Sequence, residues 1–339
     1  MIDLRSDTVT KPSQGMRKAM YDAEVGDDVF SEDPTAIELQ HYCCELFNKE
    51  AALFVSSGVM GNQLSLRTLT EQGDEIICEK NSHIFNYESG SAAALSGAQL
   101  YPVDGKRGVM APADVEEAIR PVSAYYMPKT KVIAVENTHN RASGAVLPLE
   151  SIAVLKAVAQ KHSLYFHIDG ARIWNASVKT GVSLDAYGSL ADTMSVCFSK
   201  GLGAPVGSLM LGTREMIDRA FRIRKSWGGG MRQIGILAGA ALYALKNNLQ
   251  KLHEDHEKAH LLAKFLSEHP NVELDLDSID TNIVIFTPKK KTVSEVMDQC
   301  AEKGLLLSVG TSTSVRAITH LDVSFEQTEQ AINILEQVL

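Results

Sequence analysis

A lysine and an aspartate each stand shortly after an apolar segment of this sequence. Lys200 follows residues 194–198, and Asp169 directly follows residues 164–168. If these segments are parallel strands of one sheet, their carboxyl ends bring both side chains to the edge where open α/β sheets bind ligands. Schiff-base chemistry on pyridoxal phosphate (PLP) needs such a pair, because the lysine holds the aldehyde and the carboxylate keeps the pyridine nitrogen protonated.

Two glycine-containing segments have the composition of a phosphate site. The turn Ser57-Gly58-Val59 lies between a strand-like segment and a helical pattern, so backbone N–H groups and the helix dipole would face an anion there. Residues 228–230 are all glycine, and Arg232 follows them with a guanidinium suited to phosphate or carboxylate. The alternative for the second segment is a flexible surface loop, because glycine also serves simple turns.

Strands and helices alternate over the first two thirds of the chain. Asp33 followed by Pro34 predicts the start of a helix that continues to about Phe47. Short apolar segments separated by helical patterns favour parallel strands with helices on both faces of the sheet. We therefore predict an α/β domain over residues 1–245 that binds the cofactor.

The pattern changes after about residue 245. Residues 242–267 predict one long helix, and Thr292 with Glu295 has the pattern of a capping box at the start of another. Short strand-like segments separate the helices that follow. We predict a smaller α+β domain over residues 246–339.

Composition limits the class of protein. The chain has 339 residues, 45% of them hydrophobic, and a net charge of −9, which gives no global attraction for nucleic acid or for anionic membranes. Its five cysteines lack the spacing of a zinc ribbon or a disulfide framework, and its start lacks the pattern of a secretory signal. We expect a cytoplasmic protein with a small-molecule substrate.

Several segments together resemble the low-specificity L-threonine aldolases, which are PLP enzymes of the aspartate-aminotransferase fold type. The resemblance extends almost from end to end and is far more specific than any one motif. It implies a mostly parallel sheet of the seven-stranded type, covered by helices, in the large domain. The matching segments are residues 1–10, 25–30, 136–140, 167–176, 197–208, 228–233 and 319–324.

The resemblance also implies roles for individual residues. Lys200 would form the Schiff base, Asp169 would pair with the pyridine nitrogen, and His83 would stack on the ring and take part in catalysis. Arg232 would reach the phosphate from a neighbouring subunit, which implies a homo-oligomer, a tetramer as in relatives or at least a dimer. The implied cofactor-binding residues are Ser57, Gly58, Val59, His83, Asp169, Arg172, Lys200 and Arg232. The implied substrate-binding residues are Ser6, Tyr87, Tyr126, Arg172 and Arg316.

Three positions depart from the family pattern. Val59 replaces a threonine that is often found in the phosphate turn, so the cradle must depend on backbone N–H groups. Tyr126 stands where several relatives have a histidine near the substrate hydroxyl, and Phe30 replaces a common tyrosine. We expect cleavage of both threonine and allo-threonine, with a preference that depends partly on Tyr126.

The sequence thus predicts a carbon–carbon lyase that splits β-hydroxy-α-amino acids into glycine and an aldehyde. A β-eliminating lyase or a racemase of the same fold is the alternative, since it would share Lys200 and Asp169. A dinucleotide-binding protein fits less well, because no GxGxxG motif follows the first strand. No metal is expected at His253, His256 and His260, because His256 falls on an apolar stripe with Leu252, Ala259 and Leu266, which is typical of a packing helix.

Overall fold

A computed structural model describes all residues, 1–339. None of its helices is both long enough and apolar enough to span a membrane. The α-helices, in chain order, are α1 (Gln14–Asp22), α2 (Pro34–Phe47), α3 (Gly58–Leu69), α4 (His83–Asn86), α5 (Pro112–Ala118), α6 (Leu149–Lys161), α7 (Ile173–Thr180), α8 (Leu184–Leu190), α9 (Arg214–Ser226), α10 (Gly235–Asn247), α11 (Leu252–Glu268), α12 (Val293–Glu302) and α13 (Phe325–Val338).

The strands are mostly short. They are β1 (Ile2–Asp3), β2 (Ala51–Val55), β3 (Glu75–Glu79), β4 (Gln99–Val103), β5 (Gly105–Lys106), β6 (Val109–Met110), β7 (Thr130–Glu136), β8 (Tyr165–Gly170), β9 (Thr193–Cys197), β10 (Ser208–Gly212), β11 (Val272–Glu273), β12 (Ile283–Pro288), β13 (Leu305–Leu306), β14 (Ser308–Val309) and β15 (Val315–Ile318).

The main sheet has seven strands in the order β2-β10-β9-β8-β7-β3-β4. Neighbouring strands from β9 to β4 are parallel, whereas β10 is antiparallel to both β9 and β2. Strands β7, β8 and β9 consist almost entirely of buried residues, as expected of strands that are covered on both faces. The structure confirms the predicted α/β fold with a mostly parallel seven-stranded sheet.

Side-chain caps fix where the helices around this sheet begin. The Asp33 carboxylate accepts the backbone N–H of Ala36 at 2.9 Å, and Pro34 stands in the first turn of α2, as predicted. The Ser57 hydroxyl accepts the backbone N–H of Met60 at 3.2 Å and thereby starts α3 directly after β2. The Ser57 cap thus fixes the turn between β2 and α3.

The predicted long helix over residues 242–267 is wrong. The structure has two helices there, α10 and α11, separated at Asn248 by a short 3₁₀ turn. The buried side chain of Asn248 donates to the carbonyl oxygen of Leu202 at 2.9 Å. Asparagine is a weak helix former because its side chain competes for backbone hydrogen bonds. At Asn248 the side chain bonds to Leu202 and so holds the loop after β9.

A second sheet, in the order β11-β12-β15-β14, is antiparallel and lies in the C-terminal part of the chain. The predicted capping box is present, because Thr292 and Glu295 each accept the other's backbone N–H at the start of α12. The core of this part also contains Ile2 and Leu4, and β1 pairs with β13. The division at residues 245/246 stays a prediction, and the N-terminal residues pack with the C-terminal core.

Candidate active site

A cavity of about 360 Å³ opens at the carboxyl edge of the main sheet. Its size lies within the range of small-molecule sites. The lining residues come from both ends of the chain, from residue 6 to residue 316. Among them, those predicted from the sequence are Ser6, Ser57, Gly58, Val59, His83, Tyr87, Asp169, Arg172, Lys200 and Arg316.

Adjacent strands bring Lys200 and Asp169 to this cavity. Asp169 lies near the end of β8 and is only 3% exposed, and Lys200 follows the end of β9, the neighbouring strand. The Lys200 Nζ lies 3.3 Å from the Cys197 Sγ. The Asp169 carboxylate accepts the Asn62 amide at 2.8 Å and the backbone N–H of Ala171 at 3.1 Å. The predicted juxtaposition of lysine and carboxylate is therefore present.

The turn between β2 and α3 forms an anion cradle at the same edge. The first two residues of α3 are Gly58 and Val59, whose backbone N–H groups donate no hydrogen bond within the protein. A β-carbon at Gly58 would lie 2.6 Å from the Cys197 Sγ, so this close approach of backbone to the sheet requires glycine. Free N–H groups at the start of a helix favour a bound phosphate.

Arg172 is held by a carboxylate from the beginning of the chain. Its Nε and Nη2 both donate to Asp7 at 2.7 Å, and both side chains are buried. Burial alone would raise the pKa of Asp7, but the Arg172 guanidinium outweighs it and lowers that pKa to about 2. This bidentate pair fixes Arg172 at the wall of the cavity and leaves its Nη1 without a partner in the protein.

Arg316 reaches the cavity from β15 in the C-terminal sheet. Its Nη1 donates to the Asn140 Oδ1 at 3.1 Å and its Nε to the Ser308 Oγ at 3.2 Å. Glu136, at the end of β7, accepts the backbone N–H of Asn140 at 2.8 Å. Arg316 and Arg172 thus line one cavity from different parts of the fold.

His83 is the first residue of α4, and Tyr87 follows that helix. The backbone N–H of His83 donates to Glu136 at 2.6 Å, and its ring Nδ1 lies 2.9 Å from the Glu88 Oε1. The rings of His83 and Tyr87 lie 5.6 Å apart. Arg141 donates to the Tyr87 hydroxyl at 2.5 Å and so holds that ring beside the cavity.

Two predicted site residues lie outside the cavity of their own chain. Tyr126 is 75% exposed in the segment before β7, so the expectation that it borders the substrate is not met within one chain. Arg232 is largely exposed and donates to Asp27 at 2.8 Å. Both face outward because the segments that carry them run over the surface of the large domain.

Sequence reasoning missed several polar residues of the site. Glu136 and Asn140 lie in a segment that resembles the family, although no role was predicted for them. Asn62 lies within a buried face of α3 and gave no signal of its own. Asp7 follows the predicted Ser6, but its partner Arg172 lies far along the chain. Such pairs become visible only in three dimensions.

The three histidines of α11 lie away from this cavity. His256 is buried and its Nε2 lies 3.1 Å from the Asn175 Nδ2. Burial lowers the pKa of His256 to about 4, so its neutral ring accepts this hydrogen bond. The histidine packs between α11 and α7.

The fold and the site define a class of protein. The sequence model described as "Beta-eliminating lyase" matches residues 3–289. The solved structure of a threonine aldolase from Leishmania major superposes with a TM-score of 0.85 at 17% identity, over 99% of each chain. A serine palmitoyltransferase from Sphingomonas wittichii superposes with a TM-score of 0.75 at 17% identity, over 99% of this chain and 86% of that one. The chain thus belongs to the β-eliminating-lyase family, which is a family of PLP enzymes.

Relatives of higher identity narrow the assignment. The low specificity L-threonine aldolase of Escherichia coli K12 is 43% identical, over 96% of each chain. Low-specificity L-threonine aldolase 1 of Arabidopsis thaliana is 39% identical, over 100% of this chain and 96% of the relative. The protein belongs to the family of low-specificity L-threonine aldolases, which confirms the resemblance inferred from the sequence.

Proposed function

We propose that this protein is a PLP-dependent carbon–carbon lyase that cleaves L-threonine, L-allo-threonine and related β-hydroxy-α-amino acids. The products are glycine and the aldehyde that carries the former β-carbon. The observation that carries the PLP chemistry of the proposal is the cavity that Lys200, Asp169 and two arginines line together. Family membership supports the same reaction.

The residues present fit the phosphate, the ring nitrogen and the aldehyde of PLP. The free N–H groups of Gly58 and Val59 suit the phosphate, buried Asp169 suits a protonated ring nitrogen, and Lys200 suits the aldehyde. When bound, PLP withdraws electrons from the α-carbon of an amino acid. Asp169 maintains that withdrawal, because two fixed donors hold its carboxylate in one orientation.

The two arginines are the residues to hold the substrate carboxylate. Arg172 keeps Nη1 free and Arg316 keeps Nη2 free, since the other two nitrogens of each guanidinium donate to protein groups. Two guanidinium groups fixed by their own partners present donors in a set geometry, which limits rotation of a bound amino acid. We infer that this orientation places the bond from α-carbon to β-carbon for cleavage. Ser6 lines the same wall of the cavity.

Cleavage also requires a proton to leave the β-hydroxyl group. His83 lines the cavity, and its ring Nε2 makes no hydrogen bond within the protein. A neutral imidazole at this position would accept the proton, directly or through one water. We therefore assign His83 as the base. We propose that Tyr87 borders the part of the cavity that holds the substituent on the β-carbon.

We propose a homo-oligomer, a tetramer or at least a dimer, in which Arg232 and Tyr126 serve the cavity of a neighbouring copy. Their exposure and their absence from the lining of their own cavity support this arrangement. We also propose a cytoplasmic location, supported by five cysteines that are all free. The net charge of −9 gives no support for nucleic acid or membrane partners.

The test is to incubate the purified protein, loaded with PLP, with each threonine epimer and to measure glycine and acetaldehyde. Lys200→Ala should retain its fold by circular dichroism and lose both products. Formation of 2-oxobutanoate without glycine would identify a β-eliminating lyase instead, and formation of the D-epimers would identify a racemase. Glycine formation at the parent rate by Lys200→Ala would contradict the role of the lysine.

A further inference from the structure

Glu88 is a buried carboxylate whose only ionisable hydrogen-bond partner is a histidine. Its side chain is 0% exposed, and its Oε1 lies 2.9 Å from the His83 Nδ1. Its other partners are neutral amides: Asn62 donates to Oε1 at 2.8 Å and Gln63 to Oε2 at 2.6 Å. A buried charge without a cationic partner is costly, so Glu88 favours the charged form that His83 takes once its ring has accepted a proton at Nε2.

One amide group joins Glu88 to Asp169. The Asn62 Nδ2 lies 2.8 Å from both the Glu88 Oε1 and the Asp169 Oδ2. Because ionised carboxylates only accept hydrogen bonds, the Asn62 nitrogen must face both of them. Asn62 therefore donates one N–H group to each of the two carboxylates.

The far side of Asn62 is fixed as well. Its Oδ1 lies 3.2 Å from the Nε2 of His167, a buried ring whose Nδ1 lies 3.0 Å from the Thr193 hydroxyl. Burial lowers the pKa of His167 to about 4, so the ring is neutral at neutral pH. Nε2–H then donates to Asn62, and Nδ1 accepts from Thr193. This chain holds Asn62 in a single orientation.

We propose that Glu88 is a positioning residue for the reaction: it holds the Nδ1–H of His83, leaves Nε2 for the substrate, and favours the proton that Nε2 accepts. Asn62 links this carboxylate to Asp169, so the two sides of the cavity are held by one network. The inference deepens the proposed function and rests on it for its catalytic meaning.

Three carboxylates face His83. Glu88 bonds to its ring, Glu136 accepts its backbone N–H from β7, and Asp169 faces it from β8. Burial opposes the charged ring, but the hydrogen bond to Glu88 and the charges of Asp169 and Glu136 outweigh burial and raise the pKa of His83. Removing one of the three charges should therefore lower the pKa of His83.

Glu88→Gln is a conservative test because the structure accommodates an amide there. The Oε1 of neighbouring Gln63 is buried and has no partner. Rotation of the Gln63 amide by 180° would offer this oxygen to the new NH₂ group, while the new carbonyl accepts from His83 and Asn62. The variant thus removes the charge and keeps the hydrogen bonds.

The first measurement is independent of the reaction. Deuterium exchange at the imidazole carbon, followed by mass spectrometry against pH, reports the pKa of one histidine in the full chain. His83 is the only histidine between Lys80 and Lys106, so one tryptic peptide isolates it. Glu88→Gln should lower the pKa of His83 by about 1. Glu88→Asp keeps the negative charge, so it should lower this pKa by less. An unchanged pKa in Glu88→Gln would overturn the proposal.

The second measurement uses the loaded enzyme. In Glu88→Gln, kcat/KM for threonine should fall about tenfold, and the acid limb of its pH profile should move down with the pKa of His83. The double variant His83→Asn/Glu88→Gln should be no slower than His83→Asn alone, because Glu88 acts through His83. If the losses of kcat/KM from the two single substitutions multiply in the double variant, Glu88 has a role separate from His83 and the proposal is overturned. Absence of glycine formation by the parent would instead refute the proposed function. The measured effect of Glu88 on the pKa of His83 would remain valid in that case, because it does not depend on the reaction.

Discussion

Asp169 and Asp7 show how differently two buried carboxylates act at one site. Asp169 accepts only neutral donors, from Asn62 and from the backbone of Ala171, so its charge is available to a cationic ring nitrogen. Asp7 is neutralised by Arg172 within the protein. The first carboxylate therefore serves chemistry, and the second holds a binding residue in place.

Asp169→Asn should lower kcat for threonine cleavage by on the order of 100-fold, equivalent to about 3 kcal/mol of barrier. A neutral amide keeps the shape of the side chain but does not stabilise a protonated pyridine nitrogen. The measurement is steady-state glycine formation, with PLP binding followed by absorbance. A turnover within a few-fold of the parent, in a variant that binds PLP normally, would contradict the electrostatic role of Asp169.

Asp7→Asn should lower the free energy of unfolding by about 3–5 kcal/mol, because it leaves the Arg172 guanidinium buried without a counter-charge. The pKa of Asp7 is about 2 in the folded protein, below the ordinary value of about 3.9. Its stabilisation is therefore complete above about pH 4 and is lost as pH falls towards 2, a component that the variant should lack.

The check is urea unfolding of the parent and the variant between pH 7 and pH 3. Asp22→Asn is the matched control, since Asp22 pairs with Lys18 on an exposed helix surface and should contribute less than 1 kcal/mol. Equal midpoints for Asp7→Asn and Asp22→Asn would show that the buried pair contributes no more than a surface pair.

Motifs revealed Lys200 and Asp169, because Lys200 follows the apolar strand β9 and Asp169 lies near the end of β8, the neighbouring strand. Sequence gave no sign of Glu88, since a single glutamate after a short helix is ordinarily exposed. Its burial depends on Asn62 and Gln63, which come from a helix that packs beside it. Partners of this kind are set by packing between distant segments, which periodicity does not encode.

At the scale of elements, the cavity depends on strand ends. Strands β2, β3, β7, β8 and β9 all end at the same edge of the sheet, and each is followed by a residue of the site. Alternation of strands and helices predicted this edge correctly. The break between α10 and α11 was not predicted, because hydrophobic periodicity continues through Asn248 and the bond to Leu202 is tertiary.

Asn248→Ala should lower the melting temperature and weaken PLP retention. The variant leaves the Leu202 carbonyl without its donor, which costs about 1–3 kcal/mol, only partly offset by the better helix propensity of alanine. Because Leu202 follows Lys200 closely, the loop that carries the lysine loses an anchor. Thermal unfolding and PLP release on dialysis measure the two effects.

Asn247→Ala is the control for Asn248→Ala. Asn247 is exposed and its side chain donates to Tyr243 within its own helix, so its loss should leave the lysine loop unaffected. Equal PLP release from both variants would show that Asn248 does not support the site.

At the scale of the whole molecule, Arg232→Ala should raise the dissociation constant for PLP by about 10- to 100-fold, the value of a hydrogen bond to a charged group. In the parent, dilution should couple loss of cofactor to dissociation of the oligomer, because the proposed Arg232 contact crosses a subunit boundary. Sedimentation velocity and PLP absorbance over a dilution series measure both.

Arg5→Ala is the matched control, because Arg5 also pairs with an aspartate on the surface and lies outside the cavity. It should bind PLP as the parent does. A parent protein that sediments as a monomer with its full complement of PLP and full activity would contradict the shared site.

The parallel pairing of β1 with β13 joins Ile2 to Leu305. During synthesis, Ile2 emerges from the ribosome before Leu305, and all seven strands of the main sheet lie between these two residues in the chain. A strand of two residues is a poor template for wrong pairing during that interval. Ser6, which lines the cavity, lies shortly after β1, so its place in the cavity is fixed only when β13 has emerged. The complete cavity therefore assembles only after these two distant segments of the chain have met.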